Sequence, residues 1–108
     1  MRRWLFLALL VPALGHAAPP DGQQIVLHGN DNGAMPCAAC HGAEGGGNAA
    51  IGAPELAGRP ASAIAAKLAQ FASGQGGTPV MQFIARALTP AETQAVATYL
   101  AGLPKQGS

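Results

Sequence analysis

The sequence Cys37-Ala38-Ala39-Cys40-His41 decides the fold of this chain. Two residues separate the cysteines, so one helical turn spans both thiols, and the histidine follows directly. This spacing is the attachment signature of covalent haem, in which each thiol adds across one vinyl group of the porphyrin. The histidine then falls beneath the iron, where one ring nitrogen binds the metal and the other donates a hydrogen bond. The motif predicts one haem per chain, held by both thiols.

Two other interpretations of the cysteine pair have to be weighed: a disulfide or thiol-exchange site, and half of a zinc site. Zinc needs four ligands, whereas the chain offers only His16 and His28 beyond the motif and has no second cysteine pair. A thioredoxin-like module needs alternating strands and helices, and no segment shows β-branched alternation. Both alternatives are therefore weaker than haem.

Residues 1–17 predict a cleaved signal peptide. Arg2 and Arg3 form the charged start, the apolar run extends from Trp4 to Leu14, and Gly15-His16-Ala17 is a small-x-small cleavage site. The apolar run has 11 residues, whereas a membrane-spanning helix needs roughly 20. We therefore expect no transmembrane anchor after processing.

Residues 18–108 predict a single domain, because the chain has 108 residues and one Cys-x-x-Cys-His motif. After cleavage the domain carries four basic and five acidic side chains, a formal charge of −1. This near-neutral balance argues against nucleic acid as a partner and against strong long-range attraction to a protein partner. A domain of this size buries only about 60% or slightly more of its unfolded surface, so a large apolar cofactor would add stability that the chain alone lacks.

Capping signals place the first and last helices. Asp21 caps a helix that runs through His28 and stops at Gly29. We expect His28 to be a solvated side chain at the helix end, with a second iron ligand as the alternative. Thr89-Pro90-Ala91-Glu92 is a capping box for the final helix. The apolar stripe of that helix comprises Val96, Tyr99, Leu100 and Leu103.

Between these ends, the sequence predicts a helix from Pro60 to Ser73 and a shorter one that follows Val80-Met81 and runs through Leu88. The face of the first of these helices repeats at i, i+4 and i+7: Ile64, Leu68 and Phe71. A loop with Gly and Pro, residues 74–79, separates the two helices.

Two loop features lie after the motif. The run Gly42-Ala43-Glu44-Gly45-Gly46-Gly47-Asn48 predicts a loop, either flexible or with backbone passing close to the porphyrin. It lacks the Gly-Lys-Ser/Thr ending of a phosphate-binding loop. Pro54 lies thirteen residues past His41. Its carbonyl is a candidate acceptor for the spare ring hydrogen of His41, and an ordinary loop proline is the alternative.

Met81 is the candidate for a second axial ligand. Met1 leaves with the signal peptide, and Met35 lies too near Cys37 to reach the opposite haem face. Met81 follows the glycine-rich loop forty residues after His41, where a chain that passed round the haem presents a thioether to the iron. Position alone leaves iron ligation and simple core filling equally open.

Four segments in this order resemble the class I cytochromes c, and more narrowly the small bacterial periplasmic type whose domain also occurs in tandem in dihaem carriers. The segments are Cys37-Ala38-Ala39-Cys40-His41-Gly42, Pro54-Glu55-Leu56-Ala57-Gly58, Thr78-Pro79-Val80-Met81 and Val96-Ala97-Thr98-Tyr99-Leu100. The resemblance covers about residues 21 to 104 and implies an all-α fold of about four short helices around one covalently attached haem c. It also implies a periplasmic location, since that attachment takes place outside the bacterial inner membrane.

By this resemblance, Cys37 and Cys40 hold the haem, His41 and Met81 are the axial ligands, and Pro54 is the carbonyl partner of His41. The first and last helices are implied to cross, with Gly22 or Gly29 giving close approach near Tyr99. Two features depart from the family pattern. Ile64 replaces a frequent aromatic residue, and the loop at residues 74–77 lacks the usual basic residue, which leaves Arg59 as the candidate partner of a haem propionate.

Function follows from the implied ligation. With both axial positions filled, the iron has no open position for substrate, which predicts an electron-transfer protein rather than an enzyme. We expect a periplasmic carrier that meets redox proteins through a transient interface at the haem edge, surrounded by small and apolar residues such as Pro79 and Val80. One alternative is a haem subunit bound permanently to a larger dehydrogenase or oxidase. Another is an enzyme or gas sensor in which Met81 does not bind the iron.

Overall fold

The computed structural model describes residues 18–106. The predicted signal peptide, residues 1–17, lies outside the described residues. The described chain forms five α-helices: α1 Gly22–His28, α2 Ala38–His41, α3 Ala61–Ala72, α4 Pro79–Arg86 and α5 Pro90–Ala101. The loop between α2 and α3 contains a short 3₁₀ helix, Ala49–Ile51. The all-α prediction is confirmed, and the helix beyond the four expected is α2, the single turn at the cysteines.

Helices α1 and α5 cross at Gly22. A Cβ atom built on Gly22 would lie 2.1 Å from the backbone oxygen of Ala95 and 3.0 Å from Cβ of Tyr99. Only a residue without a side chain permits this approach. Gly29 serves a different purpose, because it ends α1 with φ +80° and lies against the backbone oxygen of Ala34. The predicted close approach near Tyr99 is therefore made by Gly22.

The core lies between α1, α3, α4 and α5. Its buried members are Ile25, Val26, Ala34, Ile64, Leu68, Ile84, Ala85, Leu88, Val96, Ala97 and Leu100. The predicted apolar faces of α3 and α5 point into this core, although Phe71, Tyr99 and Leu103 are only partly buried against it. The capping box of α5 is present, with the Thr89 side chain accepting from the Glu92 amide at 3.1 Å and the Glu92 carboxylate accepting from the Thr89 amide at 2.9 Å.

Helix α4 begins earlier than the sequence predicted. The Thr78 hydroxyl accepts a hydrogen bond from the Met81 amide at 3.1 Å, and Pro79 occupies the first helical position. Proline suits that position because its missing N–H has no partner there in any case. Met81 therefore lies within the first turn of α4 rather than before the helix. At the other end, α4 stops at Arg86, and buried Leu88 follows it.

None of the helices in residues 18–106 has the length and apolar character needed to cross a membrane.

Candidate haem site

The cysteines and the histidine lie on one helical turn. The His41 amide donates to the Cys37 carbonyl at 3.0 Å, and the Gly42 amide donates to the Ala38 carbonyl at 3.0 Å. Gly42 then leaves the helix with φ +88°, a conformation that favours glycine. Cys37 is half-buried, Cys40 is exposed, and neither forms a disulfide. Both thiols are thus available on a single rigid turn.

The ring of His41 is buried and oriented. His41 is 8% exposed and is the only polar or charged side chain in the buried class among the described residues. Its Nδ1 lies 2.9 Å from the Pro54 carbonyl oxygen. A carbonyl only accepts, so Nδ1 carries the hydrogen and Nε2 carries the lone pair. No hydrogen-bond partner of Nε2 occurs in the part of the chain that the structure describes. A histidine whose ring is held in place, with its tautomer fixed and Nε2 carrying the lone pair, suits an iron ligand.

The loop that supplies Pro54 is tightly hydrogen-bonded. The carbonyl of Gly45 accepts from the amides of Leu56 and Ala57 at 2.8 and 3.0 Å, and the Gly47 amide donates to the His41 carbonyl at 2.7 Å. Gly45 itself is buried. Residues 42–48 form the predicted loop, and these hydrogen bonds tie it to His41, Leu56 and Ala57. The glycines allow close backbone packing, and the partners of Gly45 lie after Pro54, outside the glycine run.

Met81 lies half-buried at the edge of the core. Residues of α3 and α4 hold the loop that precedes it. The Gln82 side-chain amide donates to the Gly76 carbonyl at 2.9 Å, and a Cβ atom on Gly77 would lie 2.7 Å from the ring of Phe71. Gln82 was not predicted, because its partner Gly76 lies in the loop before α4 and no sequence pattern records that contact. Iron ligation by Met81 stays a prediction.

Two arginines are candidates to replace the basic residue that the loop at residues 74–77 lacks. Arg59 is exposed, and its Nε donates to the Glu55 carbonyl, which places the guanidinium beside the Pro54 loop. Its role toward a propionate stays a prediction. Arg86 of α4 donates to the Ala72 carbonyl at 3.2 Å, and its guanidinium lies near Gly74. The loop that lacks a basic residue of its own thus receives one from the next helix, which local sequence did not reveal.

Four large apolar side chains are more than two-fifths exposed in the described residues: Ile51, Phe83, Val80 and Met35. The sequence placed Val80 on an apolar surface but missed Phe83. The Phe83 ring tip would lie 3.8 Å from a Cβ atom on Gly33, so α4 approaches the segment that leads into Met35. Phe83 precedes Ile84 and Ala85, the residues of α4 that are buried in the core. A helix that buries those two residues turns Phe83 away from the core, and this could have been predicted from the sequence.

The two other interpretations of the cysteine pair gain no support. Burial raises the pKa of the Cys37 thiol, whereas thiol exchange needs the thiolate form. No three side chains of His, Cys, Asp or Glu come together as a metal cluster within residues 18–106. In contrast, two thiols on one turn, a buried imidazole with a free lone pair and nearby apolar side chains fit a covalently bound haem.

Comparisons with known proteins agree with this site. The family model described as cytochrome c oxidase, cbb3-type, subunit III matches residues 26–100. The chain is 46% identical over 98 residues to a thiosulfate dehydrogenase electron acceptor from Stutzerimonas stutzeri, an alignment that covers 90% of this chain and 44% of the relative.

Solved structures give the same result. A chain of thiosulfate dehydrogenase (TsdBA) from Marichromatium purpuratum superposes with a TM-score of 0.74 at 38% identity, over 78% of this chain and 18% of that one. Reduced cytochrome c4 from Pseudomonas stutzeri superposes with a TM-score of 0.72 at 32% identity, over 77% of this chain and 46% of that one. The chain spans less than half the length of these proteins. It belongs to the cytochrome c family, as a class I domain similar to one domain of the dihaem cytochromes, and its cofactor is covalently bound haem c.

Proposed function

We propose that this chain is a periplasmic one-electron carrier in which Cys37 and Cys40 bind the haem as thioethers and His41 and Met81 are its axial ligands. The observation that carries the proposal is the buried side chain of His41, whose Nδ1 is bonded to the Pro54 carbonyl so that Nε2 carries the lone pair. When bound, the haem supplies the reversible exchange of one electron between ferric and ferrous iron.

The protein side chains set the properties of that site. The hydrogen bond from Nδ1 to Pro54 raises the basicity of the His41 imidazole and fixes its ring plane. The thioether of Met81 is a soft, weak donor that favours ferrous iron, so the pair of ligands gives a higher potential than two imidazoles. Because both ligands come from the chain, substrate finds no open axial position, and electron transfer is the chemistry that remains.

Visible spectra of the purified periplasmic protein test this assignment. We expect a haem c spectrum that survives denaturation, and a ferric thioether charge-transfer band in the native protein. The Met81→Ala variant should lose that band, with Met35→Ala as the matched control that keeps it. A Cys37→Ala/Cys40→Ala variant should carry no covalent haem. Retention of the band in Met81→Ala would refute methionine ligation.

The electron donor that we propose is a thiosulfate-oxidising dehydrogenase. A relative is named thiosulfate dehydrogenase electron acceptor, and the chain matches it over 90% of its own length. Exposed Val80 and Phe83 offer apolar surface for a brief contact near Met81. Mixing the oxidised protein with thiosulfate and a thiosulfate dehydrogenase should reduce it within the turnover time of the enzyme. Reduction no faster than by thiosulfate alone would exclude this donor.

A permanent subunit of a larger enzyme is the second candidate, because the superposition on thiosulfate dehydrogenase covers only 18% of that longer chain. Gel filtration of native periplasm separates the two candidates. A free carrier elutes at the size of its own chain, whereas co-elution of the haem with a large dehydrogenase would favour the subunit.

Two further assignments belong to the proposal. Residues 1–17 are removed on export and residues 18–108 form the haem domain, so the mass of the mature protein should equal that of residues 18–108 plus haem.

Arg59 pairs with a haem propionate, because its guanidinium lies beside the Pro54 loop. The Arg59→Gln variant should then change the pH dependence of the reduction potential, and an unchanged profile would remove Arg59 from the site.

A further inference from the structure

Gly47 lies against the peptide group that carries the Pro54 carbonyl. A Cβ atom built on Gly47 would lie 2.7 Å from the Glu55 nitrogen, 2.8 Å from the Ala53 oxygen and 2.8 Å from the Pro54 carbonyl carbon. These distances are shorter than any that a real Cβ atom shows to backbone, and backbone atoms cannot rotate away as a flexible side chain can. Only a residue without a side chain at position 47 therefore leaves room for the Pro54 carbonyl where it lies.

Gly47 also contacts the backbone of His41, whose ring donates the hydrogen bond to Pro54. Its amide donates to the carbonyl of His41 at 2.7 Å. The residue thus joins the backbone of His41 to the peptide that accepts from the His41 ring. Directly after it, Asn48 and Ala53 exchange two hydrogen bonds, at 2.7 and 3.0 Å, which closes the loop in front of Pro54.

We propose that Gly47 is a positioning residue for His41, which holds the Pro54 carbonyl at hydrogen-bonding distance from Nδ1 and so sets the donor strength of the imidazole. This inference rests on the proposed ligation of iron by His41. A side chain at position 47 displaces the Pro54–Glu55 peptide and weakens the bond from Nδ1. A less basic imidazole stabilises ferric iron less, so the reduction potential rises.

The chain offers a matched control for the test. Gly47 and Gly52 both have positive φ, +85° and +74°, so alanine is strained at either position. A Cβ atom on Gly52, however, meets no atom within 4 Å. Both variants, Gly47→Ala and Gly52→Ala, place alanine at positive φ, and only Gly47→Ala adds a contact with the Pro54 peptide.

The experiment measures the reduction potential and the solvent exchange of the His41 Nδ1 proton by NMR in the reduced holoprotein. In Gly47→Ala we expect a higher potential than in Gly52→Ala and ring-proton exchange about tenfold faster, as loss of one hydrogen bond implies. Equal potentials and equal exchange in the two variants would overturn the inference. Failure of the proposed ligation has another signature, because the His41 ring resonances of the unmodified protein would then lack the shift that a neighbouring porphyrin causes.

Exchange in the unmodified protein decides the question if Gly47→Ala does not fold. The amide of Gly47 and Nδ1 of His41 should then be protected together, since one local opening separates both from their partners. A Gly47 amide that exchanges as fast as in an unfolded chain, beside a protected ring proton, would show that Gly47 does not hold the Pro54 peptide and would overturn the inference.

Discussion

Asn30 ties the first loop to residues far along the chain. Its Nδ2 donates to the Ala87 carbonyl at 2.8 Å and to the Glu92 carboxylate at 3.0 Å. Its Oδ1 accepts from the amides of Asn32 and Ala34 at 3.0 and 2.9 Å. Every hydrogen-bonding site of the amide is therefore used, and the side chain connects α1 to the junction of α4 and α5.

We expect Asn30→Ala to lower the free energy of unfolding of the holoprotein by about 2 to 6 kcal/mol, since four hydrogen bonds at about 0.5 to 1.5 kcal/mol each are lost. Denaturant titration measures the change. Asn32→Ala is the matched control, because the exposed Asn32 contributes only its backbone amide to this network. Equal stability of the two variants would show that the network contributes nothing.

The site residues differ in how far local sequence reveals them. Cys37, Cys40 and His41 form a contiguous motif whose spacing is fixed by the chemistry of attachment. The hydrogen bond between His41 and Pro54 was an expectation from the resemblance, and the structure contains it at 2.9 Å. Asn30 was not predicted, because its partners Ala87 and Glu92 lie 57 and 62 residues away and no short pattern records them.

At the scale of elements, capping residues allowed the ends of α1 and α5 to be predicted, since the caps act within four residues. The start of α4 was placed too late because Thr78 and Pro79 were assigned to the loop, although Thr-Pro is a helix-start signal. The glycine run at residues 42–48 was predicted to be a loop, but its packing was not predicted. Its hydrogen bonds reach Leu56 and Ala57, and glycine composition alone does not distinguish such packing from flexibility.

The cap of α4 fixes the turn that carries Met81. We expect Thr78→Ala to lower the free energy of unfolding by about 1 kcal/mol, because the Met81 amide loses its acceptor. The ferric thioether band should then disappear at lower denaturant concentration than in the unmodified protein. Thr78→Ser should restore both values, and Thr98→Ala, an exposed position inside α5, should change neither. If the band of Thr78→Ala disappeared at the same denaturant concentration as that of the unmodified protein, the cap would have no effect on Met81.

The crossing of α1 and α5 depends on Gly22. We expect Gly22→Ala to destabilise the holoprotein by about 1 to 3 kcal/mol, as for other overpacked contacts, because the added methyl group meets the Ala95 oxygen at 2.1 Å. Gly102→Ala is the control, since its nearest contact would be an ordinary 3.6 Å and its φ is −84°. Thermal unfolding compares the two variants, and equal midpoints would contradict a tight crossing.

At the scale of the whole molecule, charge and apolar surface point to one kind of association. The described residues carry four basic and five acidic groups, so these residues produce no strong net field to steer a partner. Phe83 and Val80 are 56% and 51% exposed on the helix that carries Met81. Contact between redox partners should therefore depend on small apolar patches rather than on opposite charges.

This near-neutral charge predicts that the rate at which a partner reduces the protein depends only weakly on salt. Between about 10 mM and 1 M ionic strength the Debye length falls from about 30 to 3 Å, which screens any long-range attraction. We expect the second-order rate of reduction by a thiosulfate dehydrogenase to change less than about tenfold over this range, since electrostatic steering adds about 10- to 1,000-fold. Stopped-flow mixing measures the rate, and reduction by a small neutral reagent is the control. A steep fall with salt would mean that local charges, Arg59 and Arg86 foremost, guide the partner in spite of the neutral total.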